Sequence, residues 1–241
     1  MIPTIRLLYK LDQRLNKLSS NQHQRIPLEN KILALNEAQL KLIKKKMNPN
    51  NPLGIGFDGN KKRYEDLENL VVPFEDTPLS LTETDKKLNK WSASLISKPD
   101  YMFYVDSYLL ANKEDCKDRV IAVNSDLVKH ADVHTLLSNN NYKPSFEYQD
   151  TFTTKTSGDI EVYTDGTFTP TKLFVSYLRY PRKIDLEGYE DFDGTPSINS
   201  DCELKEYLED ELLDIAEMEI AINTQNIPAA QMAAEKIKNS E

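Results

Sequence analysis

The sequence predicts an α+β fold. It reads as an N-terminal antiparallel helical hairpin, a further helix, a central small antiparallel β domain and a C-terminal acidic helix. Three observations predict it. Apolar residues recur at three- and four-residue steps near both ends, the mark of amphipathic helices. In the middle, short runs rich in aromatic and β-branched residues alternate with turn residues, the mark of strands. Clusters of Pro, Asn and Gly stand where one pattern gives way to the other.

The first helix follows from Ile5, Leu8, Leu11, Leu15 and Leu18, which form one stripe behind Pro3. The second begins near Pro27, with Leu28, Ile32, Leu35, Leu42 and Ile43 as its stripe and Ala38 and Gln39 between. Lys44, Lys45 and Lys46 sit in its last turn, where cations suit the negative end of the helix dipole. Asn48-Pro49-Asn50-Asn51-Pro52 stops it. The segment 64–74, YEDLENLVVPF, reads as helix and then extended chain. After Pro78 a further helix is expected, capped by Ser80 with Glu83 or Thr82 with Asp85 and burying Leu88, Trp91 and Leu95.

From Pro99 the period changes. Residues 99–184 predict the antiparallel β domain, with an insert of helical character over 124–138. Residues 185–200 read as a Gly/Asp/Pro linker. The remainder, 201–241, reads as helix, with Leu204, Leu208, Leu212, Ile215, Met218 and Ile222 on one stripe and acids opposite. Ser200 or Asp201 is its expected N-cap. The helical region before the β domain is 1–98.

Charge is distributed unevenly. The net charge is −9, yet residues 1–64 hold 13 Lys and Arg against 4 Asp and Glu. Residues 185–219 hold 1 Lys against 14 acids. The acidic total excludes a chain that wraps nucleic acid along its whole length. Opposed ends predict that one meets the other, on a neighbouring copy or on a partner of opposite charge. The candidate interface residues are Arg6, Lys10, Arg14, Lys44, Lys45 and Lys46 on the basic side, and Glu206, Glu209, Asp210 and Asp214 on the acidic side.

No apolar run approaches the ~20 residues of a membrane span, so no membrane is expected. The start of the chain is charged and amphipathic, which is not the pattern of a secretory signal. Cys116 and Cys202 carry no metal-type spacing and are expected as free thiols in a reducing compartment. The LGIG run at 53–56 follows a turn instead of a strand, so it is not expected to cradle a phosphate.

Two patterns invite a catalytic reading. Tyr163-Thr164-Asp165-Gly166 looks like the first strand of a ribonuclease H-type nuclease, whose strand aspartate binds metal. Such a site needs several converging carboxylates, and the acids that follow lie in the linker and on a helix face. Asp165 and Gly166 are therefore read as a structural turn, at the corner of a hairpin. His130 and His134 stand four apart, but residue 131 is Ala where a metalloprotease has Glu, and only His23 remains as a third imidazole. No catalytic residue, metal ligand or cofactor is expected.

The order of the pieces resembles the neck and ring proteins of tailed bacteriophages, the head–tail connector or adaptor family, especially those of crAss-like phages of Bacteroidetes. Three stretches carry the resemblance: the opening IRLLYKLDQRLNKLSS…PLENKILALNEAQLKLI; YEDLENLVVPF followed by KPDYMFYVDSYLLANKEDC; and KLFVSYLRYPRKIDL leading into the acidic helix. The resemblance implies a virion structural protein that forms a ring, often a dodecamer, below the portal protein. Its implied partners are copies of itself, the portal, other neck or tail rings, and genomic DNA that passes without sequence-specific contact. The implied location is the virion neck, after assembly in the host cytoplasm. A non-viral helical scaffold or binding module is the alternative. A metal-dependent nuclease using carboxylates around Asp159, Glu161 and Asp165 is the less favoured third reading.

Overall fold

Alternation decides the middle of the chain. Trp91, Ala93 and Leu95 face the core, while Ser92 and Ser94 between them do not, which is the period of a strand. The computed structural model describes residues 1–18, 26–47, 61–96, 98–113, 120–189, 194–224 and 230–235. They divide into two units: Met1–Leu70 with Pro181–Glu241, and Val71–Tyr180.

The second unit is one nine-stranded mixed sheet. Its strands are β1 (Val71–Val72), β2 (Pro78–Ser80), β3 (Thr82–Asp85), β4 (Lys90–Ser94), β5 (Tyr101–Lys113), β6 (Val120–Leu127), β7 (Asp150–Thr156), β8 (Asp159–Tyr163) and β9 (Phe168–Arg179). The order is β1-β9-β5-β6-β7-β8-β4-β3, and β2 also pairs with β9. Only Leu81 separates β2 from β3, so one short stretch bonds β9 at its start and β4 at its end. The sheet thus curls round until its two margins are joined by the same piece of chain. Inside the curl, Leu79, Ala93, Leu109, Val123, Ile160 and Leu173 share one apolar cluster, although their strands are far apart in the order.

The sheet is mixed because β6 and β7 run parallel, from Asn124 opposite Asp150 to Leu127 opposite Thr153. A parallel step needs a crossover of a dozen or more residues. Residues 128–149 supply it, with a 3₁₀ turn at His130–Asp132 and a short helix, Val133–Ser138. This crossover lays Val133, Leu136 and Leu137 on Phe152 and Tyr163, on the outer face of β7 and β8.

The first unit is helical. It holds Thr4–Leu18 (α1), Leu28–Met47 (α2), Lys61–Leu67 (α3) and, after α4 at Val133–Ser138 in the sheet unit, Glu209–Asn223 (α5). α5 packs against both α1 and α2. Ion pairs fix the directions. Arg6 meets Glu206 and Arg14 meets Asp214, so α1 and α5 run parallel. Lys46 meets Glu211 and Lys41 meets Glu219, so α2 and α5 run antiparallel.

Several expectations are corrected. The fold is not a small antiparallel β domain beside a helical hairpin: the sheet is large, mixed and begins at Val71. The helix expected after Pro78 is β2, β3 and β4. Leu88 lies in the turn between β3 and β4, so its three-residue spacing to Trp91 joins a turn to a strand. Thr82 and Asp85 are strand residues instead of caps. The two N-terminal helices do not stand as a self-sufficient pair, because α5 covers both. Among the described side chains of α1 the buried apolar residues are Leu7, Leu8 and Leu11, and Ile5 of the expected stripe is exposed. α5 is not acidic on one side and apolar on the other: Glu209, Glu217 and Glu219 are buried with Leu212, Ile215 and Ile220.

The segment read as a linker is partly organised. Asp185 and Ser200 exchange backbone hydrogen bonds, and Tyr189 Oη donates to Asp185 Oδ1 at 2.6 Å. Asp201 caps a different helix from the one expected. Its Oδ1 accepts from the Thr4 N–H at 3.0 Å, in the first turn of α1, where a carboxylate also suits the helix dipole. Ile2 and Cys202 complete this seam with reciprocal backbone bonds of 2.9 and 3.1 Å.

Candidate functional site

The charged residues singled out in the sequence meet one another within a single chain. Arg6, Lys10 and Arg14 are one turn apart along α1, so they project as one row. Acids of the Glu206–Leu208 turn and of α5 face them. Arg6 pairs with Glu206 and, at 2.7 Å, with Glu209. Lys10 reaches the same Glu209 oxygen at 2.8 Å. Arg14 pairs with Asp214 and, at 2.8 Å, with Asp210. Glu206 lends its charge to Arg6 and is itself held below the usual carboxylate range by the hydrogen bond from that guanidinium.

On the other side of α5, Lys46 bridges Glu211 at 2.9 Å and Asp66 at 3.0 Å. Tyr207 Oη donates to the second Asp66 oxygen at 2.7 Å. Lys44 is exposed and Lys45 half-buried at the end of α2. Eight of the ten predicted interface residues are therefore engaged in intramolecular ion pairs, which join α1 and α2 to α5 and the turn before it.

Asp165 is used locally. Its Oδ1 accepts from the Thr167 N–H, and both its oxygens lie 2.8 Å from the Thr167 hydroxyl. The turn it makes is not the corner of a hairpin, because β8 pairs with β7 and β4, while β9 pairs with β1, β2 and β5. The tight hairpin in this region is Ser157-Gly158, both at positive φ, between β7 and β8. Asp165-Gly166 instead interlocks with the turn between β3 and β4: the Thr164 N–H donates to Asn89 O at 3.1 Å.

Where the two turns meet, a groove of about 280 Å³ opens, bordered by Lys87, Asn89, Lys143, Pro144, Thr164 and Asp165. Lys87 comes from the turn between β3 and β4, and Lys143 from the crossover before β7.

Glu161, nearly buried on β8, is not free for a metal. It accepts from Lys90 Nζ at 3.0 Å, Tyr163 Oη at 3.1 Å and Thr154 Oγ1 at 3.2 Å. Burial by itself raises its pKa. The hydrogen bonds from Lys90 and Tyr163, with the Lys90 charge, outweigh that and hold the carboxyl below its usual range. His130 lies 3.9 Å from Glu161 and bonds to Thr156, while His134 is exposed on α4. Among the described residues, no three His, Cys, Asp or Glu side chains are grouped as a metal site would require.

Near the end of β7, Lys155 Nζ stands 3.0 Å from Tyr101 Oη, at the start of β5, and 4.2 Å from the centre of its ring. Burial lowers the Lys155 pKa and pushes that of Tyr101 up to about 12.

Cys202 is a buried free thiol. Cys116, His23 and the glycines at 54, 56 and 59 lie outside the described residues. No described helix is long and apolar enough to cross a membrane. Sequence reasoning missed Lys87, Asn89 and Lys143. The first two fall in the segment whose spacing predicts a helix, and nothing in that spacing ties them to a lysine more than fifty residues on. The one available signal was the Asp-Gly turn, which needed a surface to close against.

No protein-family model matches the chain, and no curated protein is similar to it.

Proposed function

We infer that this is a structural protein of a tailed-phage virion. Copies of it form a ring in the neck, joining the portal to the tail and letting the genome pass, and it catalyses no reaction. The three stretches that carry the resemblance fall on α1 and α2, on α3, β1 and β5, and on β9.

The observation that carries the reading is the outer side of α1. Ile5 is 69% exposed and Tyr9, one turn on, is 65% exposed. Met1 extends the same apolar surface at 70%. The neighbouring basic row is meanwhile turned to acids of its own chain. An apolar row on the solvent side of a helix is the surface a partner copy buries. A ring needs two different patches that meet head to tail, and this row supplies one of them. Subunit contact then rests on apolar burial, with the charge ladder stabilising each subunit.

The test is sedimentation and electron microscopy of the purified protein, alone and with its portal. Ring particles are expected, and they persist as salt rises through the range that screens exposed charges. Ile5→Asp with Tyr9→Asp leaves the circular dichroism spectrum unchanged and abolishes the rings. A protein that stays monomeric on portal-bearing heads, or is missing from virions, overturns the reading and favours a scaffold module.

A further inference from the structure

We propose that the groove between the interlocked turns is a binding site for a phosphate group carried on a nucleotide or a nucleic-acid strand. This inference stands apart from the ring reading and survives or fails without it.

Three features support it. First, Lys87 and Lys143 arrive from separate segments and border one groove, and neither forms an ion pair with a described residue. Two unpaired ammonium groups on one concave surface attract an anion of two charges more than either does singly. Second, the one acid at the groove, Asp165, is engaged by the Thr167 N–H and hydroxyl. It subtracts one charge and leaves the groove net positive. Third, the walls are preorganised. Thr164 is bonded to Asn89 through its N–H at 3.1 Å and its hydroxyl at 3.3 Å, and Asn89 is wedged against Gly166. A site whose walls are already fixed loses less entropy on binding.

The volume, about 280 Å³, exceeds what a phosphate alone fills. Leu88 and Leu137 add apolar wall beside the lysines. That combination suits a phosphate with a sugar or base attached. A divalent cation is disfavoured, because two lysines face it against one carboxylate.

The experiment is a backbone-amide NMR titration of the full chain with inorganic phosphate, AMP and a short DNA duplex, each against chloride at equal ionic strength. Amides of residues 86–89 and 164–167 are expected to shift with all three probes and not with chloride. Tighter binding of the duplex than of AMP assigns the phosphate to a strand, and the reverse assigns it to a free nucleotide; both sustain the site. Lys87→Gln with Lys143→Gln is expected to weaken binding about tenfold or more without changing the melting midpoint, since both side chains are exposed. Asp165→Asn is expected to strengthen phosphate binding, because Asn still accepts from Thr167 and no longer repels the anion. Equal binding by the double lysine variant, shifts that chloride reproduces, or loss of binding in Asp165→Asn would each overturn the proposal.

Discussion

A Cβ on Gly166 would lie 2.9 Å from the amide nitrogen of the Asn89 side chain. The two residues belong to turns that are 77 positions apart in the chain, and each has positive φ, +82° at Gly166 and 47° at Asn89. The conformation favours glycine at 166, and a Cβ there would also have to push the Asn89 side-chain amide aside. Beside this close approach, the Thr164 N–H and hydroxyl both donate to Asn89 O and tie the end of β8 to the start of β4, at the lysine-lined groove.

Gly166→Ala is therefore expected to destabilise the fold by about 2–3 kcal/mol, from left-handed strain plus displacement of Asn89. Gly158→Ala, also at positive φ but with open space around it, costs about 1 kcal/mol from strain alone. Urea denaturation of both variants checks the order. Equal losses would show that Asn89 moves aside freely.

Glu209 is the hinge point of the charge ladder. Its side chain is 4% exposed and receives both Arg6 and Lys10. Glu209→Gln leaves two cations facing a neutral group and is expected to cost about 1–3 kcal/mol. That is less than a fully buried pair loses, because the two cations are partly in water. The loss should shrink as salt screens the pair. It should be read from urea unfolding at low and high salt.

The Lys90–Glu161 pair makes stability depend on pH in a defined direction. The Glu161 pKa is depressed, so its contribution is present above the ordinary carboxylate range and lost as pH falls through the folded value. The Lys90 pKa is raised, chiefly by its hydrogen bond to Glu161, so its contribution is present below the ordinary lysine range and lost as pH rises through the folded value. Between the two, the pair is fully effective. The stability difference between the native chain and Glu161→Gln should be flat near neutral pH and shrink at both extremes. A difference that grows below pH ~4 would contradict the arrangement.

Burial pushes the Cys202 thiol up to about 11. The thiolate is the reactive form, so in Cys116→Ser protein Cys202 is expected to ignore Ellman's reagent at pH ~8 until the chain unfolds. Its reaction rate then reports opening of the seam with Ile2. Rapid labelling under native conditions would place the thiol at the surface. In the native chain, non-reducing mass spectrometry is expected to find no link between Cys116 and Cys202.

The ends of the chain were more legible than the middle. The α1 and α2 patterns are long and capped, and local periodicity suffices for such segments. Strands β3 and β4 were obscured because Leu88 and Trp91 share a helical spacing, although the Trp91-Ser92-Ala93-Ser94-Leu95 alternation was present all along. The parallel pairing of β6 with β7 was not legible. It depends on a crossover of 22 residues, whose direction no local pattern encodes. The charge runs identified the groups that pair but not whether they pair within a chain or between chains, since composition carries no connectivity. The groove was least legible of all, because its lysines are brought together only by the interlock of two turns.

The helical unit is discontinuous: α1 and α2 precede the sheet unit in the chain, and α5 follows it. During synthesis this becomes a matter of timing. From the emergence of α2 to that of α5, the ribosome must add the whole sheet unit, a delay on the order of ten seconds or more. Throughout it, the nascent chain carries Leu7, Leu11 and Leu35 without their cover and Arg6, Lys10 and Arg14 without their acids, whereas residues 71–180 have every strand they need as soon as residue 180 has emerged. A chain ended by a stop codon before Ser200 would consequently remain in that half-made state. It would hold a finished sheet and an N-terminal arm that is at once basic, apolar and open to whatever chaperone or ribosomal surface lies nearest.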